Sequence, residues 1–151
     1  MIRALRISAA LAVGVACSAL AQDRQVIPDP LPPPGLPFTA AIRTGNLIFL
    51  SGQIGNVPGT RTVVSGGITP ETRQALENIR RVLEAAGSSM SRIVKCTVFL
   101  ADIADYAAMN AVYATFFPTD PPARSTLSSP GLAMGARIEV ECIAAADGAG
   151  R

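Results

Sequence analysis

Residues 93–100 read Ile-Val-Lys-Cys-Thr-Val-Phe-Leu, a run rich in β-branched and aromatic side chains. That composition favours a central strand of a β-sheet. A second strand is predicted from Ala136 to Ala146, where apolar and polar residues alternate. With a period of two, one face of this strand carries Ile138, Val140, Cys142 and Ala144, and the other carries Glu139, Glu141 and Ile143.

The segment before the run at 93–100 predicts an amphipathic helix. Thr69 is a good N-cap, Pro70 suits the first helical position and Gly87 is a typical stop. The apolar stripe consists of Leu76, Ile79, Leu83 and Ala86, three and four residues apart. The opposite face is charged, and we interpret it as solvated: Arg73, Glu77, Arg80, Arg81 and Glu84.

The segment after the run predicts a second helix, capped by Asp102 or Asp105 and ending near Phe117. A stripe of large side chains recurs in it at helical spacing: Tyr106, Met109, Tyr113 and Phe116. Such a stripe is usually part of the core, and we predict that here.

A hairpin precedes both helices. A strand is predicted over residues 38–43, a turn at Thr44-Gly45-Asn46, and an apolar strand from Leu47 to Ser51 that suits burial on both faces. The order of elements predicts an α+β fold: a mixed sheet of about five or six strands with two helices on one face. The other face has no helix assigned to it, which leaves a surface to be buried by self-association.

The N-terminal region predicts export. Arg3 and Arg6 precede an apolar run that ends in Ala19-Leu20-Ala21, the pattern of a cleaved signal peptide over residues 1–21. The run is short for a membrane span, although an uncleaved anchor stays an alternative. Lipidation at Cys17 is less favoured, because Gly14 stands where a branched aliphatic residue is usual. We therefore expect a periplasmic or secreted protein with no membrane contact after cleavage.

Residues 22–37 contain six prolines and are expected to form an extended lead-in, with neither a ladder nor a helix. The domain proper is then predicted over residues 38–151. A chain of 151 residues suits one domain.

Composition excludes several kinds of chemistry. Loss of Arg3 and Arg6 with the signal leaves equal numbers of basic and acidic residues, so nucleic-acid binding has no electrostatic footprint. The chain has no histidine, which removes Ser-His-Asp and Cys-His catalysis and makes a zinc site improbable. Cys96 and Cys142 lie in apolar strands, and we predict buried thiols rather than a disulfide, although an oxidising compartment weakens that expectation.

Two residues stand out as candidates for chemistry. Arg124 follows Pro121-Pro122-Ala123, a rigid mount from which a guanidinium could grip a carboxylate through two parallel bonds; a surface charge is an equal alternative. Glu139 alternates with apolar residues in the last strand. It is either an exposed or paired acid at a sheet edge, or a carboxylate that orients or deprotonates water beside a substrate.

Several blocks of the chain resemble one family. In order along the sequence they are Ser51-Gly52-Gln53-Ile54, Gln74-Ala75-Leu76-Glu77-Asn78, Val94-Lys95-Cys96-Thr97-Val98-Phe99-Leu100, Asn110-Ala111-Val112-Tyr113, Pro122-Ala123-Arg124-Ser125 and Ile138-Glu139-Val140-Glu141-Cys142-Ile143-Ala144. Together they are similar to the signature of the Rid (reactive intermediate deaminase, or YjgF) family. The similarity runs from about Pro37 to Ala145, with every block in order.

The resemblance implies a homotrimer with a chorismate-mutase-like fold, a closed central barrel and three clefts between subunits. It implies hydrolysis of small 2-imino acids or enamines to 2-oxo acids and ammonia, with no cofactor and no metal. Arg124 matches the arginine that binds the substrate carboxylate, and Glu139 matches the glutamate that positions the attacking water. Ser51, Gly52 and Asn110 match positions that line the cleft.

Two positions depart from the family pattern. Phe38 stands where the family has a tyrosine that could hydrogen-bond the substrate, and Thr126 stands where a cysteine is common. Thr126 keeps the backbone groups that the site could use. Phe38 and the export signal favour a different substrate, reduced activity, or a non-catalytic small-ligand-binding or holdase-like trimer. Ribonuclease activity, attached to some relatives, is the weakest alternative for a neutral chain without histidine.

Overall fold

The computed structural model describes residues 24–146, so the predicted signal peptide and Cys17 lie outside the described residues. Within that range the elements are β1 (Arg24–Ile27), β2 (Ala41–Thr44), β3 (Leu47–Leu50), β4 (Gln53–Ile54), α1 (Ile68–Ala85), β5 (Ile93–Leu100), α2 (Tyr106–Phe116), β6 (Ala123–Ser128) and β7 (Ile138–Ala145). Short 3-10 turns occupy Met90–Arg92, Ile103–Asp105 and Ala133–Gly135. None of the helices in this range is long and apolar enough to cross a membrane.

The described strands form one mixed sheet in the order β1-β2-β3-β7-β5-β6, with β4 paired to β7. Only the β5–β6 pair is parallel, and it is joined by α2; the other pairs are antiparallel. Gly45 adopts a positive φ of 56° in the turn between β2 and β3. Thr44 pairs with Leu47 across that turn, as expected for a two-residue hairpin. The predicted α+β architecture is confirmed, with seven strands where five or six were expected.

Both helices pack on the same face of the sheet. The α1 stripe of Leu76, Ile79 and Leu83 is fully buried and belongs to one core cluster with Val98 of β5 and Val140 of β7. On β7 the predicted alternation is confirmed, since Ile138, Val140, Cys142 and Ala144 are all buried.

Strand β3 differs from its prediction. Ile48 and Leu50 are buried against the helices, but Leu47 and Phe49 are 40% and 42% exposed. Only one face of the continuous apolar run is therefore buried within this chain.

Helix α1 ends as predicted but begins differently. Gly67 is the N-cap and no side chain caps the helix, so Thr69 lies inside the first turn. At the other end Gly87 has φ +69°, and the Ser88 amide donates to the Leu83 carbonyl at 2.8 Å, the six-to-one bond of a Schellman motif. Before α2, the Asp102 carboxylate accepts from the Ala104 amide at 2.9 Å and so caps the 3-10 turn Ile103–Asp105, whereas Asp105, the N-cap residue of α2 itself, makes no side-chain capping bond.

The lead-in is more ordered than the sequence predicts. Arg24–Ile27, the residues directly before the first proline of the lead-in, form β1 and pair with β2. Part of the lead-in therefore belongs to the sheet. Its next residues are held by Arg81 of α1, which donates two 2.9 Å hydrogen bonds to Asp29. Arg81 is therefore not part of a solvated face.

Cys96 and Cys142 form a disulfide, so the prediction of two free thiols is wrong. The cysteines are direct partners in the antiparallel β5–β7 ladder, and their Cα atoms lie 4.1 Å apart. Both side chains face the core. In the sequence of either strand alone, the cysteine looks like a small buried apolar residue. The two sulfurs meet only because the register of β5 and β7 pairs these positions.

Candidate functional site

The first group of candidate residues surrounds Glu139 of β7. Glu139 points to the face opposite Ile138 and Val140 and is half-buried. Burial, and secondarily the negative charge of Glu141 two residues along the strand, raise the pKa of Glu139 above its ordinary value. No donor among residues 24–146 is hydrogen-bonded to the carboxylate. Glu139 is therefore a partly desolvated acid whose oxygens are available to a water or a ligand.

Gly52 lies directly against this carboxylate. A Cβ atom added at Gly52 would fall 2.8 Å from Cδ and 3.0 Å from Cγ of Glu139, closer than real Cβ contacts allow. The absence of a side chain thus lets the Glu139 carboxyl rest on the backbone at residue 52. The neighbouring Ser51 hydroxyl donates to the Thr39 carbonyl at 2.6 Å, which ties this loop to the start of β2.

A cavity of about 360 Å³ opens above Glu139 and Gly52. Its walls come from the lead-in, from the loop that contains Phe38, and from the 3-10 turn at Ala133–Gly135. Phe38 is 56% exposed. The structure therefore brings three of the candidate residues, Phe38, Gly52 and Glu139, together at one cavity.

The second group of candidate residues surrounds Arg124 of β6. Its guanidinium carbon lies 4.6 Å from the ring centre of Tyr113 and 5.7 Å from that of Tyr106. One guanidinium nitrogen donates to the Tyr106 hydroxyl at 3.4 Å, and another lies 4.0 Å from the sulfur of Met109. No carboxylate of the described residues forms an ion pair with Arg124. The guanidinium is therefore held between two aromatic rings, and its charge is not paired with a carboxylate within residues 24–146.

Tyr106 was predicted to be core and is not: it is 43% exposed, whereas Met109 and Tyr113 are buried. A hydrogen bond with Asn110, and then the hydrogen bond and charge of Arg124, lower the pKa of the Tyr106 hydroxyl. Sequence reasoning missed this phenol beside the predicted site. Its position one helical turn before Asn110 was the available signal, since residues four apart share a helix face.

The second group also contains two buried hydroxyl oxygens, those of Tyr113 and Thr126. Burial raises the pKa of Tyr113 to about 12, against an opposing effect of the Arg124 charge, so its phenol stays neutral. Thr126 lies two residues after Arg124 on the same face of β6, and its hydroxyl oxygen is buried without a hydrogen-bond partner. Arg124 and Thr126 therefore lie on the edge strand β6, and the Arg124 side chain contacts α2, the helix that carries Asn110.

The two groups do not meet within one chain. Arg124 pairs with Cys96, whose side chain is buried on the helix-covered face, whereas Glu139 pairs with Phe99 on the open face. Strand β5 stands between them. The structure therefore divides the predicted site residues into an acid half, with Phe38, Gly52 and Glu139, and a guanidinium half, with Asn110, Arg124 and Thr126.

Residues 24–146 contain no group of three or more histidine, cysteine, aspartate or glutamate side chains that could hold a metal ion. The two described cysteines are joined to each other.

Comparisons with known proteins agree with this architecture. The model of the family described as Endoribonuclease L-PSP matches residues 31–146. Over 128 residues the chain is 41% identical to the chloroplastic Reactive Intermediate Deaminase A of Arabidopsis thaliana, which covers 84% of this chain and 68% of that protein. Over 108 residues it is 41% identical to the 2-iminobutanoate/2-iminopropanoate deaminase of Homo sapiens, which covers 72% of this chain and 79% of that protein. The crystal structure of E. coli TdcF with bound serine matches with a TM-score of 0.75 at 31% identity, over 82% of this chain and 99% of that one.

The fold and the two half-sites define a class of small α+β proteins in which a mixed sheet carries both helices on one face. Within that class the chain belongs to the Rid (YjgF) family. The family resemblance read from the sequence, and the YjgF-like fold expected from it, are confirmed.

Proposed function

We propose that this protein hydrolyses 2-imino acids and their enamine tautomers to 2-oxo acids and ammonia, without a cofactor. Relatives at 41% identity carry the names Reactive Intermediate Deaminase and 2-iminobutanoate/2-iminopropanoate deaminase. A similar solved structure, TdcF, holds serine, which like an imino acid is a small molecule with a carboxylate.

The observation that carries the proposal is the division of the site into complementary halves. Arg124 offers a guanidinium with no carboxylate partner in the described range, and Glu139 offers an acid with no donor there. A substrate carboxylate suits the first, through a charge-assisted pair of hydrogen bonds. A water molecule bound to the second suits the attack on the imine carbon.

The reaction needs little beyond these groups. Water adds its oxygen to the imine carbon, and Glu139 takes one of its protons and passes it to the imine nitrogen, which gives a carbinolamine. In the collapse of that intermediate the hydroxyl proton moves through Glu139 to the amino group, the C–N bond breaks, and ammonia and the 2-oxo acid are released. Because the imine is already electrophilic, orientation and charge complementarity supply most of the catalysis.

Since the halves occupy opposite faces of the sheet in one chain, we propose that each complete site forms between two copies of a homotrimer. The apolar side chains on the open face support this, because exposed clusters of that kind mark interfaces. They include Val26 at 50%, Phe49 at 42% and Leu127 at 43% exposure.

We further propose that the mature protein is periplasmic or secreted. The Cys96–Cys142 disulfide supports this location, since such bonds persist mainly in oxidising compartments. N-terminal sequencing of protein from the periplasm or medium tests it: a start near Gln22 is expected, and an intact Met1 in the cytosol would refute it.

The catalytic proposal is tested by following freshly generated 2-iminopropanoate with the parent protein and two variants. Arg124→Lys keeps the charge but loses the planar fork, and should raise KM roughly tenfold with kcat much less affected. Glu139→Gln should keep KM and lower kcat by about 10²–10⁴-fold, because it removes the proton acceptor. Decay no faster than in buffer would refute the function, and an undiminished kcat in Glu139→Gln would refute the role of the acid.

A further inference from the structure

The cavity above Glu139 is large and mostly apolar. Pro28, Pro33, Leu36, Phe38, Ile54 and Met134 supply much of its wall. Its volume of about 360 Å³ lies in the range of pockets that hold drug-sized ligands, about 300–1,000 Å³. A 2-imino acid with a methyl side chain would leave most of this apolar space unfilled.

The polar side chains of the lining are mostly engaged elsewhere. Asp29 is bound to Arg81, and burial, which would raise its pKa, is outweighed by the hydrogen bonds from Arg81 and the Leu31 amide, so the pKa is lowered and Asp29 stays ionised. The Asn56 amide donates to the carbonyl of Thr60 at 2.9 Å. Of the charged groups that line the cavity in the described range, Glu139 alone has no hydrogen-bond partner. The cavity, called the chamber below, thus combines apolar walls with one acid that has no hydrogen-bond partner in the described range.

The proline-rich wall of this chamber is fixed in place. Besides the two bonds from Arg81 to Asp29, the Gly59 amide donates to the Leu31 carbonyl at 3.0 Å. Arg61 donates to the carbonyls of Pro34 and Gly35, each at 3.0 Å. The prolines also limit the freedom of the unfolded segment, which lowers the entropy lost on ordering it. Hydrogen bonds therefore tie this wall to the rest of the domain at three points.

We propose that this chamber receives a bulky apolar side chain, so that the preferred substrates are branched-chain or aromatic 2-imino acids rather than 2-iminopropanoate. This inference rests on the proposed function and names its substrate class. The imine carbon lies beside Glu139, the side chain extends toward Phe38 and Met134, and the carboxylate points out of the chamber toward Arg124 of another copy. The hydrophobic ring of Phe38 lines this route where a phenol would add a polar group. Each buried methylene contributes roughly fourfold in affinity.

The test uses protein expressed from the full coding sequence and 2-imino acids generated in place by an amino-acid oxidase from alanine, leucine and phenylalanine. Turnover is followed as the excess of 2-oxo acid formation over the spontaneous rate. The leucine- and phenylalanine-derived imines should show kcat/KM at least about 10-fold above the alanine-derived imine. In parallel, calorimetry should show tighter binding of 4-methyl-2-oxopentanoate than of pyruvate by a similar factor.

A variant that fills the chamber sharpens the test. Ala133→Phe places a ring in the wall and should reduce the leucine-to-alanine ratio of kcat/KM by about 10-fold or more. Ala85→Phe, at the exposed end of α1, adds the same ring away from the cavity and should leave the ratio unchanged.

These experiments distinguish a wrong substrate class from a wrong function. If imines are hydrolysed with equal or reversed preference, or if Ala133→Phe leaves the ratio unaltered, the substrate class is wrong and the function stands. If no imine is hydrolysed, the function is wrong and the oxo-acid affinities decide alone: a preference for the bulky acid supports the chamber, and equal affinities or no binding refute it.

Discussion

At the scale of single residues, Glu139 is tuned by its neighbours. Gly52 gives its carboxyl room, partial burial disfavours its charged form, and Glu141 adds a like charge two residues along the same face of β7. All of these follow from the alternation of β7 and the close approach of one glycine. A carboxylate in such surroundings accepts a proton more readily than an ordinary glutamate, which suits it to act on water.

The pH dependence of turnover should report this tuning. Because Glu139 must be ionised to accept a proton and its pKa is raised, kcat/KM should fall as the pH drops through that raised pKa. Glu141→Gln removes the like charge and should move this acid limb to lower pH, although burial, the larger cause, should keep it above the ordinary glutamate value. Glu84→Gln, on the exposed side of α1, is the matched control and should not move it. An acid limb that stays in place in Glu141→Gln would contradict the assignment of Glu139 as the base.

At the scale of elements, the disulfide joins the two strands at the centre of the sheet. Cys96 of β5 and Cys142 of β7 close a loop that includes α2 and β6, and therefore Arg124. A covalent link of this kind restricts the unfolded chain and raises the free energy of unfolding.

We expect replacement of both cysteines by alanine to lower the free energy of unfolding by about 2–4 kcal/mol, measured by urea denaturation without reductant. Dithiothreitol should destabilise the parent and leave the Cys96→Ala/Cys142→Ala protein unaffected. If two thiols of the denatured, unreduced parent react with an alkylating agent, the disulfide is absent in solution and the prediction is wrong.

The sequence predicted the positions of the helices and strands better than it predicted the contacts between distant parts of the chain. Periodicity and composition located α1, β5 and β7, and Gly87 marked the end of α1, because those signals are local. The disulfide was missed because a strand's own sequence does not state its register with another strand. The ordered lead-in was missed because its anchors, Arg61 and Arg81, lie far along the chain.

The candidate site residues could be chosen from the sequence, but their distribution over the two faces of one chain could not. Arg124 and Glu139 could be selected from their positions beside apolar strands and from the family resemblance. Their separation onto opposite faces of the sheet depends on the parallel pairing of β6 with β5, which no local pattern encodes. The exposure of Tyr106 was missed because the helical spacing of large side chains does not show which of them lies outside the core.

At the scale of the whole molecule, the open face of the sheet and the divided site both support the proposed homotrimer. In that assembly neighbouring copies would cover the apolar open face and complete each half-site. Closed rotational symmetry meets both, since every copy can offer its acid half to one neighbour and its guanidinium half to the other. A homotrimer is the assembly that the proposal names, and its mass is measurable by light scattering.

The central claim is that Arg124 and Glu139 act from different copies, and mixing of variants tests it most directly. Arg124→Ala and Glu139→Gln should each be nearly inactive on a 2-imino acid that the parent hydrolyses. When the two variants are co-expressed in equal amounts and assemble together, roughly a quarter of the intersubunit sites should combine an intact arginine with an intact glutamate and recover activity. Variants assembled separately and mixed without subunit exchange should stay inactive. If the co-expressed variants, shown by mass to share trimers, recover no activity, the site does not lie between copies and the account is wrong.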